Sequence, residues 1–300
     1  MNTTLRVACV QAEPVIFDRE ATIDKLAALA RETAENGAQL ALFPETFVPV
    51  YPSNRWVREL AHGSDGAMLW ARLAQQSVEI PSPSAERIGA AARDAGIWLA
   101  VGVNELERGT LYNTLLIYGP DGALALRHRK LVPTNHERLV WGPGDGSGLD
   151  TVDVGGALAG GLICWENLMP LARFALYERG VEIYLAPTAE DSEGWLASMR
   201  HIARESRCFV IAPSHFQRAA SYPDDFPLAR LLEGVDVIGR GGSAILAPDG
   251  SYLAGPLWDE EGVLYAELDP ATLDGERQRF DPTGHYHRPD VLGLTRLRSR

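Results

Sequence analysis

Lysine is almost missing from this 300-residue chain. It occurs twice, at Lys25 and Lys130, and the other 26 basic residues are arginine. A guanidinium cannot serve as a compact charge that gives up a proton, so a lysine that survives such a bias marks a place where an amine is needed. Lys25 falls on a predicted helix face, where either residue would serve, whereas Lys130 falls in a loop punctuated by proline and glycine. Cysteine is scarce as well. Three cysteines, an odd number, do not make a disulfide framework, and a reducing, cytoplasmic setting is expected. No apolar run approaches the roughly 20 residues that span a bilayer. Met1 to Arg6 have neither the basic nor the apolar stretch of a signal peptide. Positive charge is in deficit: 28 Lys and Arg stand against 40 Asp and Glu, a net charge of -12. Nucleic acid and anionic membrane attract basic surfaces, so neither is expected as a partner.

What is present is ordinary globular material, 46 % hydrophobic and 23 % charged. A chain of this length buries about 75 % of its unfolded surface and needs no metal or disulfide staple. Strand and helix patterns alternate. Arg6 to Gln11 reads as a strand, and Asp18 caps a predicted helix that stops at Gly37. Leu40 to Phe43 is a short apolar strand closed by Pro44. Helices are predicted near 66–77 and 84–95, with strands at 97–103, 114–118 and 123–127. The second half repeats this grammar: strands at 158–163, 182–185 and 209–212, and helices at 170–179 and 195–207. Hairpins turn on Pro120-Asp121-Gly122 and on Pro248-Asp249-Gly250, and a late strand covers 263–268. Two similar turns in two similar halves hint at an internal duplication. The class is α/β. No linker divides the chain, so one domain is expected over 1–280. A C-terminal arm, 281–300, is expected to pack on that domain or on a partner subunit.

Three segments can carry chemistry. Phe43-Pro44-Glu45 places a carboxylate just past a buried strand, where ligands gather in α/β folds. By position alone, Glu45 could equally cap the next segment. Arg129-Lys130-Leu131-Val132-Pro133-Thr134-Asn135-His136-Glu137 spaces an amine and a carboxylate seven residues apart. By itself it also reads as a solvated basic run. Gly161-Leu162-Ile163-Cys164-Trp165-Glu166-Asn167 places a thiol where an apolar strand ends. A thiol becomes a nucleophile when a base or positive charge promotes the thiolate. The commoner fate of a cysteine is burial in the core, and Cys9 and Cys208 read that way.

Together these segments resemble the nitrilase superfamily of carbon–nitrogen hydrolases, from Val7-Ala8-Cys9-Val10-Gln11 to Gly284-His285-Tyr286. The superfamily's Glu, Lys and Cys match Glu45, Lys130 and Cys164 in order, and its second glutamate matches Glu137. Cys164-Trp165-Glu166-Asn167, Trp141-Gly142 and Gly284-His285-Tyr286 resemble the nitrilase branch. The resemblance implies a four-layer α-β-β-α sandwich, no cofactor, no metal, and a homodimer or larger homo-oligomer. It implies a small-molecule nitrile substrate, hydrolysed to the carboxylic acid and ammonia through a thioimidate and a thioester on Cys164. Glu45 is then the general base, Lys130 the charge-stabilising donor, and Glu137 the partner that holds Lys130 charged. Apolar and aromatic walls are expected around the substrate, with Tyr51, Trp141, Trp165 and Thr188 as candidates.

The alternatives are an amidase of the same superfamily, a variant that hydrates nitriles or cyanide and releases amide, and a binding protein that kept the fold. A metal hydrolase is weaker: His136-Glu137 is not followed by a histidine at zincin spacing, and His285-Tyr286-His287 has no clear third ligand. Gly239-Arg240-Gly241-Gly242-Ser243 resembles serine amidase loops only faintly and has no matching lysine motif.

Overall fold

The computed structural model of the chain describes residues 1–292; the end of the arm, with Arg296, Arg298 and Arg300, lies outside the described residues. The first half runs β1 (Leu5–Gln11), α1 (Arg19–Glu35), β2 (Leu40–Leu42), α2 (Gly63–Gln75), α3 (Pro83–Ala95), β3 (Trp98–Glu107), β4 (Thr110–Tyr118) and β5 (Leu124–Arg129). The second runs β6 (Val152–Asp153), β7 (Leu158–Gly161), α4 (Pro170–Glu178), β8 (Ile183–Leu185), α5 (Glu193–Ser206), β9 (Phe209–Ala212), β10 (Phe216–Arg218), β11 (Val237–Leu246), β12 (Tyr252–Trp258) and β13 (Gly262–Leu268). Helices α6 (Pro270–Arg279) and α7 (Pro289–Leu292) follow.

The strands form two sheets. One has the order β13-β1-β2-β3-β4-β5, the other β10-β11-β9-β8-β7-β6, with β12 also paired to β11. The halves match in plan. Strands β1, β2 and β3 are parallel, as are β7, β8 and β9, and each trio has an antiparallel neighbour at either end. The duplicated grammar of the sequence therefore has a structural counterpart. The four layers follow from side-chain alternation, because successive residues of a strand face opposite ways. In β1, Ala8 and Val10 meet Ile23, Leu26 and Ile88 of α1 and α3. Leu5, Val7 and Cys9 instead face the other sheet, in one core with Ile183, Leu185 and Ile211. On the far side, α4 and α5 bring Leu176, Trp195 and Met199 against Tyr184 and Val210.

Local signals account for most element boundaries. Asp18 accepts from the Ala21 N–H at 2.9 Å and caps α1, and the next chain reversal uses Gly37 at φ 81°. Helix α6 has no apolar stripe and buries only Leu273, so no periodicity announced it. Strands β6 and β10, with two and three residues, are too short to show alternation. Ser243 is buried, and its hydroxyl donates to Gln11 across the two sheets. It is a structural tie, not a serine nucleophile. The described start of the arm folds back on the domain: Tyr286 stacks on Phe280 at 4.4 Å and His287 meets Phe174 at 5.2 Å. Among the described residues, no helix is long and apolar enough to cross a membrane.

One close approach sets the height of the turn after β2. A Cβ built on Gly102 in β3 would lie 2.3 Å from Thr46 N, 2.5 Å from Pro44 O and 2.7 Å from Glu45 Cα. The turn carrying Glu45 thus lies flat on a glycine. Gly102→Ala is expected to cost about 1–3 kcal/mol by overpacking and to reduce turnover beyond the loss of folded protein. Denaturation and rate measurements on the same sample check this, and a variant as stable and active as the parent contradicts it.

Candidate active site

The site forms where strand ends converge. Strands β2, β5, β7, β8 and β9 release the chain on one side of the sandwich, and Glu45, Lys130, Cys164, Thr188 and His215 follow them in that order. Ligand sites in α/β folds form at such carboxyl ends. The basic run 127–130 is not solvated throughout, because β5 alternates. His128 and Lys130 point inward and are buried. Arg127 and Arg129 point outward and together hold the buried carboxylate of Glu105, with Arg129 Nε at 3.1 Å.

Lys130 lies wholly inside the protein. Its ammonium donates to Glu45 Oε1 at 3.0 Å and to Glu137 Oε2 at 2.7 Å, and it sits 5.9 Å from the centre of the Trp141 ring. Burial opposes the charge on this amine. The carboxylates of Glu45 and Glu137 overcome that penalty and raise its pKa well above the ordinary value, so the ammonium persists. Glu45 is also tied by the Asn113 amide at 2.7 Å and the Ala189 N–H at 2.9 Å. Glu137 accepts from the Tyr51 hydroxyl at 2.8 Å and the Thr134 N–H at 2.7 Å. Burial pushes its carboxyl up, Lys130 pulls it down in part, and the net shift is upward.

Cys164 opens a short 3-10 turn directly after β7, with its backbone in the left-handed region at φ 52°. Asn135 and Thr46, beside Glu137 and Glu45, share that region at φ 45° and 41°. Such backbone is costly for residues other than glycine and gathers at functional sites. The Thr188 hydroxyl donates to Cys164 Sγ at 3.1 Å. Burial, and then the charge on Glu45, raise the thiol well above its ordinary value; Lys130 offsets this only in part. The resting sulfur is therefore a thiol. Of the two routes to a thiolate, a base or a positive charge, the ammonium alone does not suffice at rest, because two carboxylates accompany it.

A pocket of about 100 Å³ lies over the thiol, lined by Cys164, Glu137, Tyr51, Trp165 and neighbours. The four substrate-binding candidates separate here. Tyr51 and Trp165 line this pocket, and the Trp165 indole donates to Glu190 at 3.0 Å. Thr188 is fully buried and serves the sulfur. Trp141 stands behind Tyr51 and Lys130, its indole N–H held by Asn104 at 2.8 Å, and is not among the lining residues. The adjoining chamber of about 340 Å³ has the apolar surfaces of Tyr51, Ala189 and Ile238 in its wall together with Asn54, Arg55, Glu190, Asp191, His215 and Gln217. A strand-end loop reaches the site as readily with polar as with apolar side chains, and nearness in sequence to a motif does not tell which.

The carbon–nitrogen hydrolase family model matches residues 6–278. The chain belongs to that family. It is 44 % identical over 97 % of its length, and 95 % of the relative's, to an aliphatic nitrilase of Sinorhizobium fredii (strain HH103). It is 40 % identical over 97 % of its length to a bifunctional nitrilase/nitrile hydratase of Lupinus angustifolius, covering 85 % of that protein. A carbon-nitrogen hydrolase from Helicobacter pylori G27 shares the fold at a TM-score of 0.76 with 19 % identity, each chain covered to 97 %.

In this hydrolase the site has supports that sequence reasoning missed. Glu166 is buried and accepts from the Ile163 N–H at 2.8 Å, the Leu131 N–H at 2.7 Å and His128 Nε2 at 3.0 Å. One carboxylate thus ties the peptide beside Cys164 to the peptide beside Lys130. Burial pushes this carboxyl up, but His128 and the two backbone donors win, and its pKa is lowered. The signals were present: His128 shares the inward face of β5 with Lys130, and Glu166 stands three residues after Ile163, as in a capping box. His215 lies behind Glu45, and its Nε2 contacts the Glu45 carbonyl. Burial outweighs that bond and lowers its pKa to about 4, so the ring is neutral at pH 7.

Glu166→Leu leaves three donors without an acceptor and is expected to cost about 3–9 kcal/mol, each orphan contributing about 1–3. Because the folded pKa is lowered, the contribution exists above the unfolded carboxylate pKa and is lost as pH falls through the folded one. The stability gap between parent and variant should therefore shrink on acidification. Denaturant titrations at pH 7 and in acid check this; a gap independent of pH contradicts it.

Proposed function

We propose that this chain is a nitrilase, converting an organic nitrile to the carboxylic acid and ammonia with Cys164 as nucleophile. The observation that carries the reading is that Cys164 and Glu137 line a small pocket while the buried Lys130 ammonium bridges Glu137 to a second buried carboxylate, Glu45. The similarity to nitrilases over nearly the whole chain supports it.

The chemistry follows from the charges. A nitrile carbon is a mild electrophile and demands a thiolate, yet the resting site holds a thiol. Proton loss from sulfur is therefore coupled to attack. Glu45 takes the Cys164 proton as the S–C bond forms, and negative charge grows on nitrogen. Lys130 spends two protons on Glu45 and Glu137; the third has no acceptor among the described residues and is free for that nitrogen. Glu45 returns its proton to nitrogen, giving the thioimidate. Glu45 next draws a proton from water as the water oxygen adds to the carbon, and passes it to nitrogen. The adduct's hydroxyl proton follows by way of Glu45 as C=O forms, the C–N bond breaks, and ammonia leaves the thioester. A second water cleaves the thioester, releasing the acid and restoring the thiol. Glu137 keeps Lys130 charged throughout.

If the tetrahedral adduct expels sulfur rather than ammonia, the product is the amide. The bifunctional relative makes this a specific second reading. An amidase remains the rival, and a nitrile beside its matching amide separates the two. The reading includes a cytoplasmic location, supported by three unpaired cysteines, and a homodimer or larger homo-oligomer, as the superfamily resemblance implies.

Cys164→Ala is expected to abolish ammonia release from a nitrile panel while circular dichroism stays native. Lys130→Arg keeps the charge but changes donor geometry, and should lower kcat on the order of 10²–10³-fold, the usual effect of losing one such donor. Turnover retained in Cys164→Ala, or near-normal kcat in Lys130→Arg, contradicts the assignment.

A further inference from the structure

The chamber next to the reactive pocket has a chemistry of its own. The two share Tyr51, Asn54, Ala189 and Glu190, so a nitrile seated on Cys164 extends its remote end into the chamber. Its wall is rich in acceptors. Among the described residues Asp191 and Glu190 each have one side-chain-directed donor, the Arg240 N–H and the Trp165 indole, both at 3.0 Å, which leaves most of their lone pairs free. Gln217 is buried and turns its amide nitrogen to the Tyr222 hydroxyl, leaving its oxygen unused. His215 is only 3 % exposed. With Nε2–H donated to the Glu45 carbonyl, its Nδ1 is a bare acceptor and has no partner among the described residues. Among the lining residues one cation, Arg55, stands against the two carboxylates, and its side chain is exposed; the Arg240 guanidinium, paired with Asp259, also feels Asp191.

A buried acceptor without a donor is costly, and this one belongs to a residue that lines the chamber. We propose that the chamber is a subsite for a hydrogen-bond-donating substituent, a hydroxyl or a protonated amine, carried by the nitrile a few atoms from the reacting carbon. The substituent donates to His215 Nδ1 and to the carboxylate of Asp191 or Glu190. The inference rests on the nitrilase reading and narrows its substrate class. A site built to receive a donor discriminates against an analogue that lacks one far more strongly than an apolar pocket rejects an extra hydroxyl.

The test uses four nitriles of equal chain length that end in hydroxyl, ammonium, methyl or carboxylate, with ammonia release measured for each. The hydroxyl and ammonium members should exceed the methyl member in kcat/KM by about tenfold or more, mostly through KM, with the carboxylate member lowest. Asp191→Leu should shrink that ratio. Asp191→Asn, which keeps an acceptor for the Arg240 N–H, should erase the preference for ammonium over hydroxyl. Ammonia from all four with methyl equal or ahead, with carboxylate preferred, or with ratios unchanged in both variants, overturns the subsite and leaves the nitrilase reading standing. Ammonia from none of them, nor from the broader nitrile panel, overturns the nitrilase reading and the subsite with it.

Discussion

A lysine ammonium held entirely out of water is the constraint around which this molecule is arranged. A buried charge is tolerated only when it is paired and hydrogen-bonded, and Lys130 meets that condition through Glu45 and Glu137. Each partner is then fixed in turn, Glu45 by Asn113 and Ala189, Glu137 by Tyr51 and Thr134. The groups come from both halves of the chain. Glu45, Asn113 and Lys130 belong to the first sheet and the loop after it, while Cys164, Thr188 and Ala189 follow strands of the second. The sandwich must close before the site exists, and Glu166 ties the two loops that carry amine and thiol.

The same arrangement explains why the sulfur is quiet at rest. One ammonium among two carboxylates leaves the cluster net negative, and a thiolate would add a further charge in a place without water. Burial and the charge on Glu45 hold the thiol protonated at rest. A buried neutral thiol is also poorly reactive toward chance oxidants, since thiolate character governs cysteine oxidation. Cys9 and Cys208 are buried with no such company. Their thiols bond to backbone carbonyls in the cores between the sheets and under α5.

Much of this was legible in the sequence, for physical reasons. Strand ends closed by Pro44 or preceded by Gly161 announced where Glu45 and Cys164 would lie, and a lone loop lysine in an arginine-rich chain announced Lys130. What escaped were groups whose role depends on distant contacts. Glu166 acts on a peptide 35 residues away, and His215 on a carbonyl 170 residues away. Trp141 and Thr188 lie beside Lys130 and Cys164, but nearness does not distinguish a wall of the cavity from a support behind it. The acceptors of the outer chamber escaped for the same reason: Asp191 comes from the loop before α5 and His215 and Gln217 from the segment after β9, and only the folded sandwich brings them together.

The central claim is that one sulfur among three carries the substrate carbon. Enzyme mixed with a nitrile, quenched in acid during turnover and digested for peptide mass spectrometry tests it most directly. The account requires a mass increase equal to the substrate's thioimidate or acyl group on the peptide containing Cys164, and on no other. An adduct on the peptides of Cys9 or Cys208 instead, or steady turnover with no adduct under conditions that trap thioesters, would contradict it.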